Sequence, residues 1–145
     1  MIIGVLKEPS PETRVSLLPE HITTLKKWNV EVLVETGAGI AAFAADEKYI
    51  GAGALIKSRN EVLQNSNLLL TINSPEKPEI INLNKKILLG IFQPLINTRV
   101  MQDFAENGLT VFSMDRLPRT TRAQSMDVLS SQANIAGYKA VLLAA

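Results

Sequence analysis

Apolar runs alternate along this chain with stretches in which apolar residues recur at helical spacing. Ile2 to Leu6, Val30 to Val34, Leu68 to Ile72, Ile87 to Phe92 and Leu109 to Phe112 are short and largely apolar, as strands of a buried sheet are. Pro19 to Trp28 reads as a helix, with Pro19 in its first turn and Leu18, Ile22, Leu25 and Trp28 spaced along one face. Shorter helices are expected near Asp46 to Gly51 and Arg59 to Gln64, with a brief strand over Ala54 to Ile56 between them. Asn97 to Asn107 reads as a helix with Gly108 just past its end, and a last helix runs from about Asp127 to the end of the sequence. Strands alternating with helices predict an α/β domain. Its sheet would be mostly parallel, with right-handed crossovers and helices on both faces, a Rossmann- or flavodoxin-like three-layer arrangement. Residues 1–125 form that domain in this reading, and residues 126–145 form a helix leading out of it. Ligands of such sheets bind at the carboxyl ends of the strands, so loops 7–17, 73–78, 93–98 and 113–126 are the candidates.

Composition narrows the chemistry. With 145 residues and 46% hydrophobic content the chain has ample material for one core. Its 15 basic and 14 acidic residues leave a net charge of +1, which gives no reason to expect nucleic acid or an acidic membrane as partner. There is no cysteine, so thiol nucleophiles and thiolate metal sites are excluded. The first residues lack the basic start and long apolar run of a signal peptide, and no uncharged run approaches the roughly 20 residues of a membrane span. A cytoplasmic protein without direct membrane insertion is the expectation. The last helix closes on Val141 to Ala145 without a glycine or basic cap, which reads as part of something longer. The alternative is a helix end docked on its own domain.

The motifs differ in weight. Gly37-Ala38-Gly39-Ile40-Ala41-Ala42 fits a relaxed dinucleotide fingerprint, yet the strand near Leu55 and Ile56 ends in Lys57 and Ser58 rather than in the acidic residue that grips a ribose. An ordinary strand-to-helix turn is the better reading. His21 is the only histidine and falls out of phase with the apolar face of its helix, so neither zinc nor a serine triad is expected. Arg14, in the loop after the first strand, is a possible anion site. The richest stretch is Met114 to Asp127. Arg116, Arg119 and Arg122 recur every third residue, Gln124 offers both an amide donor and an acceptor, and Asp127 is placed to cap the last helix. Cations ahead of a helix N-terminus suit a large anionic cofactor, while a solvated basic loop before a capped helix remains the plain alternative. Ser130, Ser131, Ala133, Ala136 and Gly137 make the first half of that helix small-sided, so a flat ligand or another backbone can come close.

Met-Asp-Arg-Leu-Pro-Arg-Thr-Thr-Arg-Ala-Gln-Ser-Met-Asp, followed by Leu-Ser-Ser-Gln-Ala-Asn-Ile-Ala-Gly-Tyr, resembles the alpha subunit of proton-translocating NAD(P) transhydrogenase. Ile3-Gly-Val-Leu-Lys-Glu8, Glu12-Thr-Arg-Val15 and Val34-Glu-Thr-Gly-Ala-Gly39 resemble the wider family that includes alanine dehydrogenase. The resemblance implies an oxidoreductase part handling NAD(H), with NADP(H) bound by a partner component and proton translocation belonging to the membrane components. It implies catalytic roles for Arg119, Gln124 and Asp127, with Arg119 and Asp127 holding the NADH head and Gln124 reaching toward NADP(H). Thr120, Thr121, Arg122, Ser130 and Tyr138 fall among the implied cofactor-binding positions. It further implies a downstream NAD-binding domain, a homodimer, and a location on the cytoplasmic side of the inner membrane. Alone, such a piece would turn nothing over. Two rivals stand beside this reading: a non-catalytic dimerisation or regulatory remnant, and the substrate domain of an alanine dehydrogenase-like enzyme. The second lacks its usual lysine, since Thr71, Asn73 and Ser74 follow the strand at Leu68, and lacks its histidine, since Gln93 follows Ile91 and Phe92. Arg14 matches the arginine that those dehydrogenases set against a substrate carboxylate.

Overall fold

The computed structural model describes residues 1–145. Strands β1 (Ile2–Val5), β2 (Glu31–Glu35), β3 (Leu55–Lys57), β4 (Leu68–Leu70), β5 (Ile87–Gly90) and β6 (Thr110–Ser113) alternate with helices α1 (Pro19–Lys27), α2 (Asp46–Ala52), α3 (Arg59–Asn65), α4 (Lys77–Leu83) and α5 (Thr98–Glu106); α6 (Val128–Ala144) closes the chain. The strands form one six-stranded sheet in the order β3-β2-β1-β4-β5-β6, with every pair parallel. This is the doubly wound order, and it reverses direction between β1 and β4.

Alternation along the strands feeds two cores. Leu33, Leu69 and Leu88 share a sheet face and pack with Val62 and Leu63 of α3, Ile80 and Leu83 of α4 and Phe104 of α5. There Phe92 and Phe104 meet edge to face, with ring centroids 5.4 Å apart. On the opposite face Val5, Val32 and Val34 pack with Ile22 of α1 and Tyr49 of α2. Gly4 sits in the first of these faces because a Cβ there would meet Ser66 Oγ, Val62 and Leu69 at 2.2–2.8 Å, so α3 could not close on β1. Tyr49 is fully buried, and its hydroxyl donates to the Leu17 carbonyl at 2.8 Å. Burial pushes its phenol up to about 12. Tyr49→Phe orphans that carbonyl and is expected to cost about 1 kcal/mol, read as a lower urea midpoint with an unchanged slope.

The sequence pattern places the sheet and most helices correctly but passes over α4. Seven residues opening Lys77-Pro78-Glu79 carry too little periodicity to stand out. The helix is fixed instead by Pro78 in its first turn, by a Glu76–Glu79 capping box, and by burial of Ile80 and Leu83. The start of α6 falls where the capping residue predicts it, with Asp127 as N-cap. From Leu129 onward every residue of α6 is exposed. The sheet is bare on one part too. Register puts Leu70, Leu89 and Phe112 in the row of Val5 and Val34, and Phe112 remains 54% exposed.

Candidate functional site

The strand order directs attention to the crevice between β1 and β4, where doubly wound sheets usually take a ligand. Here the chain fills it. Glu8, buried just past β1, accepts the Ile72 N–H at 2.6 Å, the Asn73 N–H at 2.9 Å and the Asn73 side-chain amide at 3.0 Å, and lies 3.1 Å from Thr71 Oγ1. These backbone N–H groups sit where a bound phosphate would look for them, and a carboxylate already holds them. The cleft beside it, about 410 Å³, is lined by Lys7, Glu35, Arg59, Ser74, Glu76 and Glu79 among others. Arg59 pairs with two of its carboxylates, while Lys7 enters no ion pair. Arg59 donates to Glu79 through two nitrogens at 2.5 and 3.0 Å and to Glu35 at 2.8 Å. That fork holds the Glu79 carboxyl below its ordinary value of 4.5, against the opposing effect of burial. A carboxylate with a depressed folded pKa contributes its stabilisation above 4.5 and loses it as pH falls further. Glu79→Gln is therefore expected to lower the melting temperature at neutral pH and to narrow the gap from the parent protein below pH 4.5, by calorimetric scans across pH.

The Gly37–Ala42 turn is closed in the same manner. Its Gly37 N–H, at φ 73°, is taken by both Asp46 oxygens at 2.9 and 3.1 Å. Gly39 is required by the chain itself, since a Cβ there would meet the Ala44 carbonyl at 2.4 Å and the Tyr49 ring at 2.7 Å. The turn proceeds into a 3-10 turn at Ile40–Ala42 rather than into a long phosphate-facing helix. Arg14 is engaged as well: its guanidinium forks onto Glu12 at 2.9 and 2.7 Å and holds that carboxyl down to about 2.

A larger cleft is open as well. It lies between the end of β6 and the start of α6, has a volume of about 850 Å³, and is lined by Asp115, Arg116, Arg119, Thr120, Gln124, Asp127 and Ser130 with apolar neighbours such as Leu117 and Leu129. A 3-10 turn at Met114–Arg116 carries the chain off the sheet edge, and a second at Gln124–Met126 brings it back to α6. The Ala123 N–H reaches the Thr120 carbonyl at 3.0 Å and the Met126 N–H the Ala123 carbonyl at 2.9 Å, while Ala123 itself is buried as the anchor of the loop. No ion pair within the chain engages Arg116, Arg119 or Arg122. Asp127 is committed to the helix: one oxygen accepts the Leu129 and Ser130 N–H groups at 3.1 and 3.0 Å, and the other accepts the Ser130 hydroxyl at 2.6 Å. These bonds, led by the Ser130 hydroxyl and helped by the charge of Arg119, hold its carboxyl below the ordinary value. Because α6 packs so little on the rest of the chain, Asp127→Ala is expected to lower helical content without moving the main unfolding transition, read by far-UV circular dichroism against near-UV melting.

Of the residues singled out by sequence, Arg119, Thr120, Gln124, Asp127 and Ser130 come together in this cleft. Thr121 and Arg122 lie on the exposed outside of the loop, Tyr138 is exposed two helical turns further along α6, and Arg14 belongs to a different loop. The pattern did not reveal Glu8, Asp46 and Asp115. Glu8 and Asp115 fall two or three residues past strand ends and Asp46 opens α2, and these positions become informative only when the groups they face are known.

These features define a class: a doubly wound domain whose usual phosphate positions are filled by its own carboxylates, with its open chemistry displaced to a cationic loop before an exposed helix. The family profile described as alanine dehydrogenase/PNT, N-terminal domain, matches residues 4–136, and the chain belongs to that family. It is 38% identical over 133 residues to NAD(P) transhydrogenase subunit alpha from Cereibacter sphaeroides, covering 90% of this chain and 25% of that protein. Among solved structures it resembles a transhydrogenase from Sinorhizobium meliloti at a TM-score of 0.92 and 38% identity, over 98% of this chain and 43% of the other. An L-alanine dehydrogenase gives 0.73 and 28% identity, over 81% and 34%. The chain thus spans between a quarter and somewhat under half of these relatives. No helix in it is long and apolar enough to cross a membrane.

Proposed function

We propose that this chain is the N-terminal part of the NAD(H)-binding component of an NAD(P) transhydrogenase, contributing one wall of the site where hydride passes between NADH and NADP(H) held by a partner component. The observation that carries this reading is the cleft at the start of α6, where free cations and a free amide face one space, while the anion positions at the β1–β4 crevice and at the Gly37 turn are filled by Glu8 and Asp46. The donor set fits a nicotinamide dinucleotide: Arg116 and Arg119 suit its phosphates and carboxamide oxygen, Gln124 suits an amide, and the Ser130 hydroxyl suits a ribose or carboxamide group. The nicotinamide itself supplies the hydride chemistry. Arg119 supplies fixed charge, Gln124 faces the partner component, and Asp127 holds Ser130 and the first turn of α6 at a set angle. No side chain has to move a proton at this step, so orientation and electrostatics are the protein's contribution.

In the full assembly this chain would precede an NAD-binding domain, form a homodimer and lie on the cytoplasmic side of the inner membrane, with membrane components carrying the proton. Alone it is inactive. The alanine dehydrogenase-like reading is weaker, because Thr71 and Asn73 are spent on Glu8 and Arg14 on Glu12. The exposed α6 and the bare sheet at Phe112 favour a second role in association, for which light scattering is the test: a strict monomer at high concentration removes it. For the main reading, hydride transfer from NADH to an NADP analogue is measured with this chain, the transhydrogenase NADP-binding component, and the remainder of the Cereibacter sphaeroides alpha subunit. Transfer that requires all three supports it, and transfer unchanged when this chain is left out contradicts it.

A further inference from the structure

The cleft holds two carboxylates, and the structure separates their roles. Both oxygens of Asp127 are spent on the N-terminus of α6. Asp115, half-buried on the opposite wall, accepts a single bond within the chain, from Ser113 Oγ to its Oδ1 at 2.5 Å. Ser113 is itself fixed, because its oxygen accepts the Phe92 N–H at 3.1 Å across the β5–β6 pair. Asp115 Oδ2 has no partner in the chain. A carboxylate is thereby held at a defined place by the sheet edge, with one oxygen left for whatever enters. Arg116 and Arg119, lining the same cleft, are the unpaired cations.

A ligand that answers both signs of free charge must carry anionic phosphates and a separate positive centre. Oxidised nicotinamide dinucleotide does, through its pyridinium ring; the reduced form keeps the phosphates and loses the ring charge. Resting on the reading of this cleft as a nicotinamide site, we infer that Asp115, positioned by Ser113, is the residue that discriminates NAD+ from NADH. With the nucleotide bound, this carboxylate would favour the oxidised form and stabilise positive charge developing on the ring. Hydride transfer at this site would require no proton to pass to Asp115.

The test uses the chain joined with the remainder of the Cereibacter sphaeroides alpha subunit and titrates NAD+ and NADH separately. Asp115→Asn keeps the shape and the bond from Ser113 but removes the charge. It is expected to weaken NAD+ binding about tenfold while NADH binding moves less than about twofold. Ser113→Ala is expected to shift the preference the same way by a smaller factor, and Ser113→Thr, which keeps the oxygen, to restore it. Equal weakening of both nucleotides by Asp115→Asn would assign the residue a merely structural role and overturn the inference, as would no change in either. A parent assembly that binds neither nucleotide would instead remove the cofactor reading of the cleft, and this assignment with it.

Discussion

Glu8→Ala is expected to lower the stability of the folded chain by about 3 kcal/mol, seen as a melting temperature about 10 °C lower. The side chain is only 8% exposed and joins the loop after β1 to the residues that end β4, across the point where the sheet reverses. Removing it leaves the Ile72 and Asn73 N–H groups without their acceptor, and an unpaired buried donor costs more than the bond it made is worth. The consequence reaches beyond stability. The same N–H groups then form an empty anion position at the mouth of the crevice. Inorganic phosphate is therefore expected to raise the melting temperature of the variant and to leave the parent protein unmoved. A melting temperature within about 2 °C of the parent would show that Glu8 is not the closure described above.

Arg119→Ala is expected to reduce hydride transfer in the assembled enzyme by about 10²-fold while leaving the fold intact. Arg119 lines the open cleft, carries no ion pair within the chain, and lies where the charge of Asp127 is felt. Its exposed side chain makes no hydrogen bond or ion pair within the chain, so the unfolding midpoint stays within about 0.5 kcal/mol of the parent. Arg119→Lys is expected to recover only part of the rate, because an ammonium cannot present the planar fork that orients a phosphate or carboxamide. Pre-steady-state transfer rates checked against unfolding midpoints separate the two effects. A loss of rate that tracks a loss of stability would make Arg119 a structural residue.

Much of the fold is legible in the sequence because it is written in continuous apolar runs. Leu68 to Leu70 and Ile87 to Leu89 read as strands by their length and apolar content, and Asp127 marks the start of α6 through its own capping chemistry. Helix α4 is hidden because its specification is tertiary, resting on the burial of Ile80 and Leu83 against a core that the local pattern does not show. The loop residues Arg119, Gln124 and Asp127 are visible as a dense polar motif, and the structure places them on one cleft. Arg14 looked equally available in the sequence, and only the structure shows its guanidinium spent on Glu12. The same holds for the glycine turn: Gly37 and Gly39 fit a phosphate loop by spacing, but Asp46 and Tyr49 lie far enough along the chain that their claims on that turn appear only after folding.

The central claim is that this domain closes its own phosphate positions and acts on a dinucleotide only when another domain presents one to the cleft at α6. Calorimetric titration of NADH into the 145-residue chain alone tests this most directly. The account predicts no saturation at NADH concentrations up to about 1 mM, equivalent to less than about 4 kcal/mol of binding free energy. Micromolar binding to the chain by itself would contradict it.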